Sequence, residues 1–263
     1  MYKVITISFF FFLVFLSCSK DDEPVLDNPL DPGGGEYETP LVVVTGDFDS
    51  GGDITSETVS FGISGNELAV EFRYRLDDFP WSDWSDNGNI TLSYLDEGDH
   101  TISVQSRYVT EDESEVVTLG FVVDAVSGPA VMFYPRRHIS SQGASVVFDI
   151  LAEEVQNLAG VELVVEYSPE EVSVQAIETG DIFSFSGDPI FIYENDPVEG
   201  KIVITSAVWG SGEPSYSGTA AIARVSLSVL STGDIDITFG GDEIFRDQDN
   251  EPISITANVP GKI

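Results

Sequence analysis

The chain has 263 residues, with 46 acidic against 11 basic side chains, a formal net charge of −35, 42% apolar residues and a single cysteine. That length fits about two domains of roughly 100–150 residues each, and the apolar fraction excludes disorder over most of it. The charge excludes nucleic acid as a partner, because no basic stripe exists to displace phosphate counterions, and one cysteine excludes a disulfide scaffold or a Cys-rich zinc site.

Residues 1–17 read as a secretory leader. Lys3 gives the positive start, and residues 4–16 are apolar except for Thr6 and Ser8. The run is too short for a spanning helix, which needs about 20 apolar residues. It ends in Phe15-Leu16-Ser17-Cys18, which resembles the lipobox of bacterial lipoproteins, with Phe15 where Leu is usual. The resemblance implies cleavage before Cys18, lipidation of its thiol, and anchoring in the cell outer membrane or at the cell surface. Acyl chains contribute about 0.8 kcal/mol per buried methylene, enough together to hold the chain without a helix. Ser19-Lys20-Asp21-Asp22-Glu23 resembles the surface-export tag of lipoproteins from the Bacteroidetes group. Residues 18–39, with Pro24, Pro29, Pro32 and Gly33-Gly34-Gly35, form an acidic Pro/Gly tether.

Beyond residue 39 no stretch holds helical periodicity. Short alternating runs rich in Val, Ile, Thr and aromatics predict an all-β fold. Runs at 41–44, 58–63, 68–75, 90–94, 101–108 and 115–126 make residues 40–127 an Ig-like β-sandwich. This segment resembles Ig-like or fibronectin-type-III-like modules through Phe72-Arg73-Tyr74-Arg75-Leu76-Asp77, then Trp81 and Trp84, then Leu95-Asp96-Glu97-Gly98-Asp99-His100. His100 falls near the place of a corner tyrosine and is expected to bond back to the backbone rather than to serve as a ligand. Trp81-Ser82-Asp83-Trp84-Ser85 matches the WSXWS signature of cytokine receptors. It follows the third predicted strand rather than preceding the last, so a Trp packed over the sandwich with a second at its rim is the expectation.

Residues 128–263 carry runs at 130–134, 144–150, 161–167, 172–177, 190–193, 201–208, 219–230, 234–239 and 253–259, which predict a nine-stranded jelly-roll sandwich. In the third run Val161, Leu163, Val165 and Tyr167 share one side and Gly160, Glu162, Val164 and Glu166 the other; the first set is assigned to the core.

The stretch from Asn157 to Pro169 (NLAGVELVVEYSP) resembles the hallmark strand of cohesin domains, type I-like, with Ser168 where Asp is usual. Ala176-Ile177-Glu178-Thr179-Gly180-Asp181-Ile182, Gly200-Lys201-Ile202-Val203-Ile204, Ser217-Gly218-Thr219 and Asp247-Gln248-Asp249-Asn250 follow in the family's order. The resemblance implies a non-catalytic module that docks a dockerin-like protein, linked to polysaccharide degradation or surface assembly. It also implies a partner-binding face of Gly160, Glu162, Val164, Tyr193, Ser206, Val208, Trp209 and Ser211. Gly160 and Glu162 stand where cellulosomal members carry Asn and Asp. An alternative is a module that binds polysaccharide directly, for which Phe191, Tyr193, Trp209 and Tyr216 are the candidate aromatics.

Signatures of catalysis are missing from the sequence. His100 and His138 lie near no nucleophile motif, and no Gly-rich loop leads into a helix. With 46 acids, carboxylate pairs carry no information. Asp247-Gln248-Asp249-Asn250 lacks the central Gly and terminal Glu of an EF-hand and is expected to be a hairpin turn. No cofactor is called for; weak calcium binding at that turn or at residues 47–53 stays open. A monomer, tied to a membrane only through the lipid, is expected.

Overall fold

The computed structural model describes residues 28–46, 53–56, 58–210 and 214–263. Cys18, Ser211 and most of the acidic loop at 47–53 lie outside the described residues. Residues 28–39 form successive turns, in which Asp31 N–H donates to the Asn28 carbonyl at 3.0 Å and Gly34 N–H to the Asp31 carbonyl at 2.8 Å. The described residues contain no helix, and the all-β expectation holds.

The first sandwich comprises β1 (Val42–Gly46), β2 (Asp53–Ile54), β3 (Thr58–Gly65), β4 (Glu71–Leu76), β5 (Asn89–Ser93), β6 (Gly98–Arg107) and β7 (Val117–Val123). Strands β1-β3-β5 form one layer and β2-β7-β6-β4 the other, with β2 parallel to β7. Alternate residues meet between the layers: Val59, Phe61 and Ile63 of β3 against Ile102 and Val104 of β6 and Phe121 and Val123 of β7. His100 closes the corner. Its Nε2 is 2.8 Å from the Asp96 carbonyl and its Nδ1 is 2.7 Å from Asp77 Oδ2, while its ring stacks on Phe121.

On the outward side of β4 and β6 the WSDWS stretch behaves differently from its expectation. Arg73 lies over Trp81 and Trp84 at 4.9 and 4.4 Å, Arg75 over Trp81 at 5.1 Å, and Arg107 over Trp84 at 4.6 Å. Rings and guanidinium groups therefore alternate. The third arginine comes from β6, 23 residues beyond Trp84, which is why local spacing concealed it. Glu113 and Glu71 pair with Arg73 and Arg107 at 2.8 and 2.7 Å.

The second sandwich holds eleven described strands rather than the nine expected: β8 (Ala130–Tyr134), β9 (Ser145–Glu166), β10 (Val172–Thr179), β11 (Ile190–Asp196), β12 (Lys201–Ala207), β13 (Tyr216–Val229), β14 (Asp236–Phe239), β15 (Ile244–Asp247), β16 (Pro252–Ile253), β17 (Ala257–Val259) and β18 (Gly261–Lys262). The runs predicted at 144–150 and 161–167 are one continuous strand, β9. Its first half pairs with β13 and β8, and its second half with β12, β14 and β15. A single strand thus belongs to both layers: β10-β13-β9-β8-β17 on one side and β11-β12-β9-β15 on the other. The buried positions of β9 run 146, 148, 150, 152, then 155, 158, 161, then 163 and 165. The period lengthens from two to three where Glu154 and Asn157 adopt positive φ of 48° and 55°, and the strand turns from one layer to the other there. The core between the layers contains Phe148, Ile150, Leu163, Val165, Ile202, Ile204, Val225, Leu227 and Phe245.

The two sandwiches are joined through the loop at 94–97. Asp96 Oδ1 accepts the Arg136 N–H at 2.6 Å, and the Glu97 carboxylate accepts the N–H groups of Ala125 and Val126 at 3.1 Å each. The Arg136 side chain is buried. Val126 packs with Ala130, Met132 and Val259 on the outer side of β8 and β17.

A candidate docking face on the second sandwich

The register of the β11-β12-β9-β15 layer decides which side chains leave the core. On β9, Val161, Leu163 and Val165 are buried, so Gly160, Glu162, Val164 and Glu166 stand on the outer side, as the alternation predicts. Residues directly opposite in a ladder share a side. One outward row therefore runs Ile192, Thr205, Glu162, Ile244, and a second runs Ile190, Ala207, Gly160, Arg246. Between them and the layer's far end lie Glu194, Val203 and Val164. Exposed Ile192 (64%) and Ile244 (42%) stand at the two ends of the first row, with Thr205 and Glu162 between them. Glu162 lies in the middle of the face, Glu194 and Glu166 toward its far end, and Arg246 is a cation in the second row. Thr205 Oγ1 donates to Glu162 Oε2 at 3.4 Å.

The same register corrects three of the sequence assignments. Ser206 is 2% exposed and opposite Val161, so it points into the sandwich. Val208 packs against the core, and its N–H donates to the Ala159 carbonyl at 2.9 Å. Tyr193 is opposite buried Ile204 and so lies on the core side of edge strand β11; its 50% exposure comes from the open edge. For Ser206 and Val208 the cause is the same. Lys201-Ile202-Val203-Ile204-Thr205-Ser206-Ala207-Val208 carries apolar residues in both phases, so its sequence does not reveal which phase is buried; only pairing with β9 does. Trp209 follows β12 in a loop and is 70% exposed, so it does not plug the end of the sandwich. Ile192, Val203, Thr205, Ala207, Ile244 and Arg246 are the face residues that the sequence reading missed.

Gly160 sits at the bottom of a shallow recess of about 320 Å³, rimmed by Ala207, Gly210, Ile244, Arg246 and Gln248. A glycine inside a strand often marks close approach by another molecule. The recess is a place for a projecting side chain, and the flat sheet around it suits a macromolecular surface more than a small molecule.

The remaining candidate chemistry is occupied structurally. His138 Nε2 lies 2.7 Å from the Val147 carbonyl, with its ring edge-on to Phe148. Asp247 Oδ1 accepts the N–H groups of Asp249 and Glu251 at 2.9 and 2.8 Å, which makes the acidic stretch a tight turn between β15 and β16. Among the described residues, no group of three or more His, Cys, Asp or Glu could hold a metal ion. Phe191 and Tyr193 are tilted 54° to each other, so they make no flat platform for a sugar.

Comparison with known proteins bears on this half of the chain. No curated protein matches it. Among solved structures, a non-cellulosomal cohesin from the hyperthermophilic archaeon Archaeoglobus fulgidus is 16% identical, with 51% of this chain and 87% of that one covered and a TM-score of 0.42. The second type II cohesin module of the adaptor ScaA scaffoldin from Acetivibrio cellulolyticus is 13% identical, covering 52% and 91%, with a TM-score of 0.45. A type I cohesin–dockerin complex from Clostridium thermocellum gives 18% identity, 51% and 95% coverage and a TM-score of 0.44. Residues 138–263, which hold the whole of the face described above, match the family model of the cohesin domain.

Proposed function

We propose that the chain is a non-catalytic, lipid-anchored surface protein whose second sandwich docks a dockerin-like protein module through the outer side of β11, β12, β9 and β15. The observation that carries this reading is an exposed sheet face that mixes apolar and acidic side chains, lying inside the segment that matches the cohesin family. Cohesin domains bind dockerin modules. An interface of this kind draws its energy from desolvated apolar contacts and its orientation from polar groups; Ile192, Val203, Val164 and Ile244 supply the first, and Glu162, Glu194 and Arg246 the second. Both histidines are engaged in structural contacts, which supports a binding role over an acid–base one.

Cys18 would carry the lipid, residues 18–39 would act as the tether, and the Ig-like sandwich would hold the docking face away from the envelope. A link to polysaccharide degradation or to surface assembly follows from the partner class.

The test is isothermal titration of the full chain against representative type I and type II dockerin modules. Binding by at least one class is expected, and Val164→Lys should abolish it while leaving a cooperative melting transition, since Val164 is half-buried on the outer side of the sheet and lies outside the core. Absence of binding to every module, or binding untouched by Val164→Lys, refutes the face. In cells, a clickable palmitate analogue should label the chain but not Cys18→Ala.

A further inference from the structure

The opposite layer of the second sandwich has a recess of its own, about 590 Å³, on its outer side. That volume lies within the roughly 300–1,000 Å³ of small-molecule sites. Its floor is built from the short side chain of Ala221 on β13 and from Leu151 opposite it on β9. Tyr134, at the end of β8, forms one wall and is 43% exposed. The turn at Gly180 and Asp181 forms the other. Any Cβ at Gly180 would collide with the Ala221 carbonyl oxygen, so glycine is what lets the turn lie so near β13. Asp181 Oδ1 accepts the Ala221 N–H at 3.0 Å and holds it there.

Tyr134, Asp149 and Arg224 stand in one row across β8, β9 and β13. Arg224 Nε and Nη2 donate to Asp149 Oδ1 and Oδ2 at 2.7 and 3.0 Å. This fork leaves further guanidinium N–H groups and carboxylate lone pairs directed outward beside the tyrosine.

We propose that this recess binds a neutral saccharide, the Tyr134 ring stacking on the apolar face of a pyranose and the Asp149–Arg224 fork bonding a pair of adjacent hydroxyls. A sugar ring presents both an apolar C–H face and vicinal groups that donate and accept together, which is what a ring beside a mixed-charge fork matches. A purely apolar ligand would strip water from the fork without replacing its hydrogen bonds. An anionic ligand would meet Asp149, Glu178 and Asp181 around a single cation, the charges that also hold the Arg224 guanidinium protonated more firmly than usual. This site and the docking face lie on opposite layers, so the proposal does not depend on the docking reading.

The test is affinity electrophoresis of the full chain through gels containing a soluble β-1,4-glucan, a galactomannan or an arabinoxylan, with polygalacturonate as the acidic counterpart. Retardation is expected in at least one neutral gel. Tyr134→Ala should weaken it about tenfold and Tyr134→Phe should preserve it, since the ring carries the contact. Val164→Lys, on the opposite layer, should leave it unchanged. The proposal is overturned by no retardation in any neutral gel, by retardation in polygalacturonate alone, or by retardation that survives Tyr134→Ala.

Discussion

Gly160→Val should move stability and docking in opposite directions. A Cβ at position 160 would meet Ala207 Cβ at 3.5 Å, an ordinary contact, and nothing closer. Glycine in a strand interior costs about 0.5–1 kcal/mol relative to alanine through backbone entropy, and a β-branched residue suits a half-exposed pleat still better. The substitution is therefore expected to stabilise the sandwich by about 0.5–1 kcal/mol, or roughly 2–4 °C in melting temperature. The added methyl groups would occupy the bottom of the recess of about 320 Å³ where a partner side chain is proposed to enter. Displacing one anchor of that kind costs about 2 kcal/mol, a loss of about thirtyfold in Kd. Differential scanning calorimetry and titration with a bound dockerin module read the two effects separately. A fall in melting temperature would show that position 160 has no free space outward. An unchanged Kd would show that the partner does not sit over Gly160.

Two further outcomes concern the first sandwich. Burial disfavours the His100 imidazolium, but the bonds to Asp77 and to the Asp96 carbonyl, with both carboxylate charges, outweigh it and raise the pKa above the ordinary 6.5. Both partners accept, so the charged ring is the form that donates at each nitrogen. Stability from this corner is fully present below pH 6.5 and is lost as pH rises through the raised pKa. The melting temperature should therefore fall between pH 5.5 and pH 8, and His100→Gln should flatten part of that slope; an identical slope in the variant refutes the assignment. Trp84→Ala removes a ring that serves Arg73 and Arg107 at 4.4 and 4.6 Å, with an expected loss of about 1–2 kcal/mol in urea denaturation; a change under about 0.5 kcal/mol would mean that the stack contributes no stability.

The two-sandwich, all-β architecture was legible because period-two alternation survives in most strands. In β9, Glu162 and Val164 were correctly separated from Leu163 and Val165 for that reason. Legibility failed wherever burial is set by a distant partner. β12 has apolar residues in both phases, so its sequence does not show that pairing with β9 turns Ser206 and Val208 inward. Residues 151–160 carry no strand signal, because Val155, Leu158 and Val161 repeat every three residues, a spacing that matches neither strand nor helix. The arginine of β6 that completes the tryptophan stack, and the row joining Tyr134, Asp149 and Arg224, both depend on contacts between residues far apart in sequence.

The lengthened spacing in β9 also constrains what changes the chain can tolerate. Positions 145–153 put odd-numbered side chains outside, and positions 160–166 put even-numbered ones outside. Adding or deleting one residue between them would invert one half against the other, driving Glu162 and Val164 inward and Leu163 and Val165 into water. Changes in length should therefore be absorbed in the loops at either end of this strand, while its middle keeps a fixed residue count even where its side chains vary.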